Sequence, residues 1–159
     1  MSRIRTVSDS FTRPADTNAY TAGDLVANST TAGSVVPLSF GVGTGSFKIV
    51  EVHIRKSGTG VTAADFDLHL YSASPTCANG DNGAWSTNGV ADYIGYIEGG
   101  QMVAFTDGAS VRNALAYGAI LSHKAGGTIY GLLEVQGTYT PASAEVFTVD
   151  LEIETDTLR

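Results

Sequence analysis

Residues 145–154 constrain this chain more than any other stretch. Phe147, Val149, Leu151 and Ile153 alternate there with Val146, Thr148, Asp150, Glu152 and Glu154. An apolar residue at every second position lines one face of an extended strand but would scatter around a helix. The segment therefore predicts a strand with one dry face, and such a face is stable only against a second layer. Asp65–Tyr71 repeats the pattern, with Phe66, Leu68 and Leu70 set against Asp67, His69 and Tyr71. In residues 47–57, Val50, Val52 and Ile54 share a face opposite Glu51, His53 and Arg55. In residues 128–137, Leu133 and Val135 face inward, and Glu134 and Gln136 outward.

Weaker strand signals fall at residues 4–10, 24–29, 34–40, 92–98, 101–105 and 116–123. Gly99-Gly100 reads as a tight hairpin turn between two of them. Pro37 lacks an N–H and assigns its run to an edge or a bulge. Residues 111–116 and 62–65 are expected to hold short helical turns. Gly, Thr and Ser fill about a third of the chain and lysine occurs three times, so the good helix formers are scarce. These features predict an all-β fold: an antiparallel β-sandwich, a jelly roll of about eight strands in two four-stranded sheets. The 159 residues suffice for one domain, with residues 1–22 as an N-terminal arm and first strand and residues 23–159 as the sandwich. Residues 72–91 form the longest irregular stretch, and a loop of that length in a compact domain usually carries function.

The net charge of −7 argues against binding nucleic acid through overall charge. The charge is uneven: residues 1–60 carry +2 and residues 61–159 carry −9. Such asymmetry marks a partner footprint or, more simply, Arg3 and Arg5 beside the carboxylates of a neighbouring terminal strand. No apolar run is long enough to cross a membrane as a helix. Met1 is not followed by an apolar leader, and Cys77 is the single cysteine, so the expected setting is a reducing cytoplasm.

Catalytic patterns are not evident. His53, His69 and His123 form no metal-ligand spacing, although a cross-strand contact of His53, His69 and Asp67 would be one way to hold an ion. Cys77 sits in a neutral-to-acidic segment that offers no base to activate it. Glu152 and Glu154 project from a wet strand face and read as solvated rather than as an acid–base pair. Residues 79–83 (Asn-Gly-Asp-Asn-Gly) resemble part of a calcium loop without its spacing or closing Glu, and turn formation explains them more simply. No cofactor or metal is therefore expected. Trp85, Tyr93 and Tyr96, in and just after the long loop, are candidates to stack on sugars or anchor a protein partner; the plainer role for Trp85 is to plug one end of the sandwich. Tyr20, Tyr130 and Tyr139 are expected in the core or at its rim.

The run Phe11-Thr12-Arg13-Pro14-Ala15-Asp16-Thr17-Asn18-Ala19-Tyr20-Thr21-Ala22-Gly23-Asp24-Leu25-Val26 resembles a segment common in structural proteins of tailed bacteriophages. Leu68-His69-Leu70-Tyr71, Gly80-Asp81-Asn82-Gly83-Ala84-Trp85 and Asp92-Tyr93-Ile94-Gly95-Tyr96-Ile97 are similar to further segments of those proteins, in the same order. Some members are regarded as capsid decoration, or cement, proteins. The resemblance implies a non-enzymatic virion protein, made in the bacterial host cytoplasm, that binds the outside of the head through the major capsid protein. It implies no catalytic residues.

A symmetric shell favours a symmetric binder, so a homo-oligomer is expected, a trimer ahead of a dimer. The expected contact residues are Arg3, Arg5, Phe11, Arg13 and Tyr20 on the arm, and Trp85 on the long loop with Asp81 shaping it. The alternative expectation is a carbohydrate- or receptor-binding sandwich of a phage tail or neck, with Trp85, Tyr93 and Tyr96 as its platform.

Overall fold

A computed structural model describes residues 2–119 and 125–156. Ten strands follow in order: β1 (Ser2–Thr12), β2 (Leu25–Val26), β3 (Leu38–Gly45), β4 (Phe47–Lys56), β5 (Asp65–Tyr71), β6 (Tyr93–Gln101), β7 (Val103–Phe105), β8 (Gly108–Ala119), β9 (Ala125–Val135) and β10 (Val146–Asp156). No helix occurs among the described residues. One sheet runs β1-β10-β4-β8-β7; the other runs β2-β9-β5-β6, with β3 also paired to β9. All named pairings are antiparallel, and the two sheets pack as a β-sandwich.

The period-two faces form the interior. Phe147, Val149, Leu151 and Ile153 of β10 meet Phe66, Leu68 and Leu70 of β5 and Leu133 and Val135 of β9 in one core, all fully buried. Each such side chain contributes roughly 1.5–3 kcal/mol by leaving water. Leu25, Ala27, Tyr71, Cys77 and Leu132 make a second cluster, under the long loop.

Four expectations need correction. Val50 does not face inward: the register of β4 slips between Ile49 and Glu51, so Ile49 is buried and Val50 only half-buried. A bulge of one residue reverses the alternation before it. Gly99-Gly100 is not a hairpin turn but the end of β6, where the chain leaves one sheet for β7 in the other. A Cβ on Gly99 would lie 2.5 Å from the Phe66 carbonyl oxygen, so the crossing requires glycine. Residues 111–116 are strand, within β8, and the hairpin turn is the two-residue loop between Phe105 and Gly108. Residues 62–65 close a single tight turn, Ala64 N–H to Val61 C=O at 3.1 Å, not a helical one. Pro37 precedes β3, which lies off the main path of its sheet. Of the expected strand 116–123, residues 120–123, His123 among them, lie outside the described residues.

Two ion pairs are buried in the same interior. Arg13 Nη2 meets Asp81 Oδ2 at 2.8 Å, and Lys56 Nζ meets Glu145 Oε1 at 3.0 Å, with no side-chain exposure on any partner. Each carries a tyrosine. Tyr20 accepts from Arg13 Nε and donates to Asp81 Oδ1 (2.6 Å); Tyr139 donates to Glu145 (2.6 Å to Oε2). The two rings stack, 6.2 Å apart and 8° from parallel, and each cation lies 5.0 Å from its own tyrosine ring. Asp81 Oδ1 also accepts the Ala27 N–H at 2.7 Å, and Lys56 donates to the carbonyls of Gly58 and Gly60. No buried side-chain donor or acceptor among the described residues lacks a partner. Burial alone would lower the Arg13 pKa; Tyr20 and Asp81 outweigh it and raise it. Burial, then the neighbouring carboxylates, push both tyrosines well above their ordinary range.

Removing one partner of a buried pair strands a charge in the interior. Asp81→Ala should therefore cost about 3–5 kcal/mol in urea unfolding, and the Arg13→Met/Asp81→Leu double variant clearly less. A double variant that lost as much as the single one would contradict the coupling.

Candidate functional site

The predicted contact residues divide sharply in space. Arg13, Tyr20 and Asp81 come together, but inside the molecule, as the buried network above, with exposures of 2, 1 and 6%. This corrects their expected role as partner contacts, since they are buried and already bind one another; Tyr20 does lie in the core, and Asp81 does shape the long loop, from inside. Phe11 is half-buried, its ring stacked on Phe147 at 5.6 Å. Arg3 and Arg5 remain exposed on β1. The terminal strands do pair, but Arg3 sits opposite Thr155 and Arg5 opposite Ile153. The two arginines therefore share the face of inward-pointing Ile153, and Glu152 and Glu154 project from the other. Glu154 pairs instead with Lys48 at 3.0 Å.

Trp85 is only partly buried and belongs to an aromatic surface on the outside of the β2-β9-β5-β6 sheet. Cross-strand register builds that surface in rows. Glu98, Asp67 and Glu134 form one row, Tyr96, His69 and Leu132 the next, and Tyr93, Tyr71 and Tyr130 a third. Alternation along β5 places Asp67, His69 and Tyr71 on the same outward face, so the rows stack side by side. Tyr93 and Tyr96 are 40 and 54% exposed.

His69 is the hub. Its ring lies 4.2 Å from Trp85, 5.9 Å from Tyr93 and 5.6 Å from Tyr96. Nε2 meets Glu134 Oε2 at 2.6 Å, and Nδ1 meets the Tyr93 hydroxyl at 2.9 Å. Burial lowers the His69 pKa, against the opposing pull of Glu134. A neutral ring then donates from Nε2 to Glu134 and accepts from Tyr93 at Nδ1. Beside it, His69, Tyr71, Trp85, Thr87, Asn88, Val90 and Tyr93 line an open depression of about 300 Å³. The Tyr71 and Thr87 hydroxyls are 2.7 Å apart on its wall.

The loop is held by the core. The Asp81 N–H bonds to the Ser29 carbonyl, Leu25 N–H to Gly83, and Trp85 N–H to Gly23. Residues 79–85 thus run beside residues 23–29. Gly80 permits this approach, since a Cβ there would lie 2.2 Å from the Thr30 backbone.

Asp67, in the centre of the carboxylate row, is pushed up to about 6 by burial and by Asp65, Glu98 and Glu134. His53 and the His69–Asp67 pair lie on strands of opposite sheets, β4 and β5, so the contact that would let the three share an ion does not form. Among the described residues no group of three or more His, Cys, Asp or Glu side chains is arranged to hold a metal. Asp81, the one carboxylate in the calcium-like run, is spent on Arg13. Cys77 is buried and its thiol pushed up to about 11 by desolvation, which leaves it protonated and unreactive at neutral pH. A larger hollow of about 400 Å³ on the other sheet includes His53, Arg55, Phe105 and Thr148. Its cationic groups are already engaged, Arg55 and His53 with Asp150 and Lys56 with Glu145.

Sequence reasoning found Trp85, Tyr93 and Tyr96 but missed His69 as the group that gathers them. The signal was present: the outward position of His69 on β5, flanked by Asp67 and Tyr71, needs only strand order to bring the other rings to it.

A carboxyl whose pKa rises on folding disfavours the folded state as it ionises. The penalty is absent below about pH 4 and complete above about pH 6. Asp67→Asn should leave stability unchanged near pH 4 and raise it by about 1–2 kcal/mol at pH 8, a figure reduced for the partial exposure of the site. Thermal melts of both proteins across that range check this; an equal effect at both pH values would contradict it. Scanned against models of known protein families the chain matches none, and no curated protein matches its sequence.

Proposed function

We propose that this chain is a non-catalytic structural protein of a tailed-phage virion, a decoration protein that binds the outer face of the head and reinforces it. One observation carries the reading beyond the resemblance of residues 11–26, 68–71, 80–85 and 92–97. The β1-β10-β4-β8-β7 sheet ends in two edges, and both present large apolar side chains to solvent: Ile4 on β1 (59% exposed), Val103 and Phe105 on β7 (60 and 55%). Edge strands with exposed apolar residues are templates for pairing with another chain. Two such edges on opposite sides of one sheet suit a molecule that bridges neighbours in a lattice. Arg3 and Arg5, exposed on the opposite face of the same edge strand from Ile4, supply a cationic contact for acidic capsid surface.

The mechanism is multivalent clamping. A homo-oligomer, a trimer in this reading, engages several copies of the major capsid protein, and modest contacts add to one slow dissociation. The resemblance segments support the same reading in a second way. Their side chains sort into a locked interior (Arg13, Tyr20, Asp81) and a displayed surface (His69, Trp85, Tyr93, Tyr96), the plan of a binding scaffold.

Quantitative mass spectrometry of purified virions tests this. The expected result is one copy per capsid subunit or per few, since only a repeating lattice offers so many equivalent sites. A few copies per particle would move the protein to the tail or neck and overturn the decoration role. Absence from particles would overturn the virion reading. Arg3→Ala/Arg5→Ala should reduce capsid occupancy, more so at low salt than at high salt.

A further inference from the structure

The depression beside His69 has a composition that the capsid role does not use. Its walls are aromatic: Trp85 and Tyr93, with Tyr71 and His69 below. Its polar groups are Thr87, Asn88 and the tyrosine hydroxyls. None of the lining side chains carries a formal charge while His69 is neutral. Burial favours that state against the pull of Glu134, and the two contacts of the ring accommodate it: one nitrogen is placed to donate to Glu134 and the other to accept from Tyr93. The Asn88 Oδ1 accepts the Thr76 N–H at 2.8 Å, a bond that does not use its two amide donors. The carboxylates Asp67 and Glu98 stand on the neighbouring row, outside the lining.

We infer that this depression is a binding site for a neutral pyranose sugar at the end or along the side of a glycan. The inference does not depend on the virion reading. A pyranose has an apolar face of C–H groups and an equator of hydroxyls. The apolar face stacks on Trp85 or Tyr93, and the hydroxyls meet Thr87, Asn88 and the tyrosine O–H groups. A volume of about 300 Å³ with an open mouth suits one ring with its glycosidic bond leading out. A cationic side chain is the competing occupant for an aromatic site, since it too binds ring faces. It would seek carboxylates in the lining, and there are none: Glu134 already faces His69 from outside it, and Asp67 stands on the neighbouring row.

The site contains its own reporter, because Trp85 is the only tryptophan in the chain. The test is a fluorescence titration of the full chain with the methyl glycosides of glucose, galactose, mannose and N-acetylglucosamine, into the tens of millimolar. Tetramethylammonium serves as the cationic comparison. At least one glycoside should give a saturable change in Trp85 emission, with a millimolar or tighter Kd. Tyr93→Ala should weaken it at least tenfold. Val90, 93% exposed at the rim, allows a second variant with little risk to folding. Val90→Arg should obstruct the mouth and weaken binding similarly while the melting temperature stays unchanged.

Three results would overturn the inference: no saturable response to any glycoside, a response to tetramethylammonium alone, or glycoside binding unaltered in both variants. None of the three bears on the number of copies in a virion, so failure here and failure of the decoration role are distinguishable.

Discussion

Arg13 and Asp81 are 68 residues apart in sequence and 2.8 Å apart in space, with no water contact at either side chain. Taking two charges out of water is costly, and their attraction recovers that cost only where the remaining donors and acceptors are also satisfied. Here they are. Tyr20 bridges the pair, Ala27 N–H joins Tyr20 on Asp81 Oδ1, and the Ala142 and Asp16 carbonyls receive the far side of the guanidinium. The arrangement is all-or-none, since any segment that moves away strands a charge. It therefore ties four stretches to one geometry: the chain after β1, the residue that follows β2, the long loop and the approach to β10. The stacked Tyr20 and Tyr139 rings then connect it to the Lys56–Glu145 pair, which fixes the end of β4 against the start of β10.

The exposed chemistry depends on that interior. A loop of some twenty residues between β5 and β6 would ordinarily be variable in position. This one is bonded along residues 23–29 and fixed at Asp81, four residues before Trp85. Trp85 is thus delivered to His69 from outside the sheet, while cross-strand register delivers Tyr93 and Tyr96. The same register crowds three carboxylates into one row. Burial and that crowding together raise Asp67, and Glu134 anchors His69, so the acidic row orients the aromatic one without lining the depression itself.

The period-two faces were legible in the sequence because burial on one side of a strand leaves a direct mark. Phe147 to Ile153, Phe66 to Leu70, and Leu133 with Val135 all lie where alternation puts them. Val50 was not legible, since a bulge resets the phase and only the partner strands determine where it falls. Gly99-Gly100 carries a true signal, close backbone approach, but glycine pairs serve turns and sheet crossings alike. The strand at residues 111–116 carried no clear face of its own; its place comes from pairing with β4. Arg13 was read as a surface cation because single arginines usually are, and its buried partner is too distant in sequence to register as a pair. The aromatic cluster was half legible: residue types and loop position pointed to it, and strand order supplied the hub.

The central claim is that the long loop and the sandwich are one cooperative unit, joined through the buried charges. The most direct measurement is urea unfolding followed simultaneously by Trp85 fluorescence, which reports the loop, and far-ultraviolet circular dichroism, which reports the sheets. One shared transition, with the same midpoint by both probes, is the predicted result. A Trp85 transition complete at clearly lower urea, with the sheets still intact, would show that the loop folds apart from the core and would contradict the account.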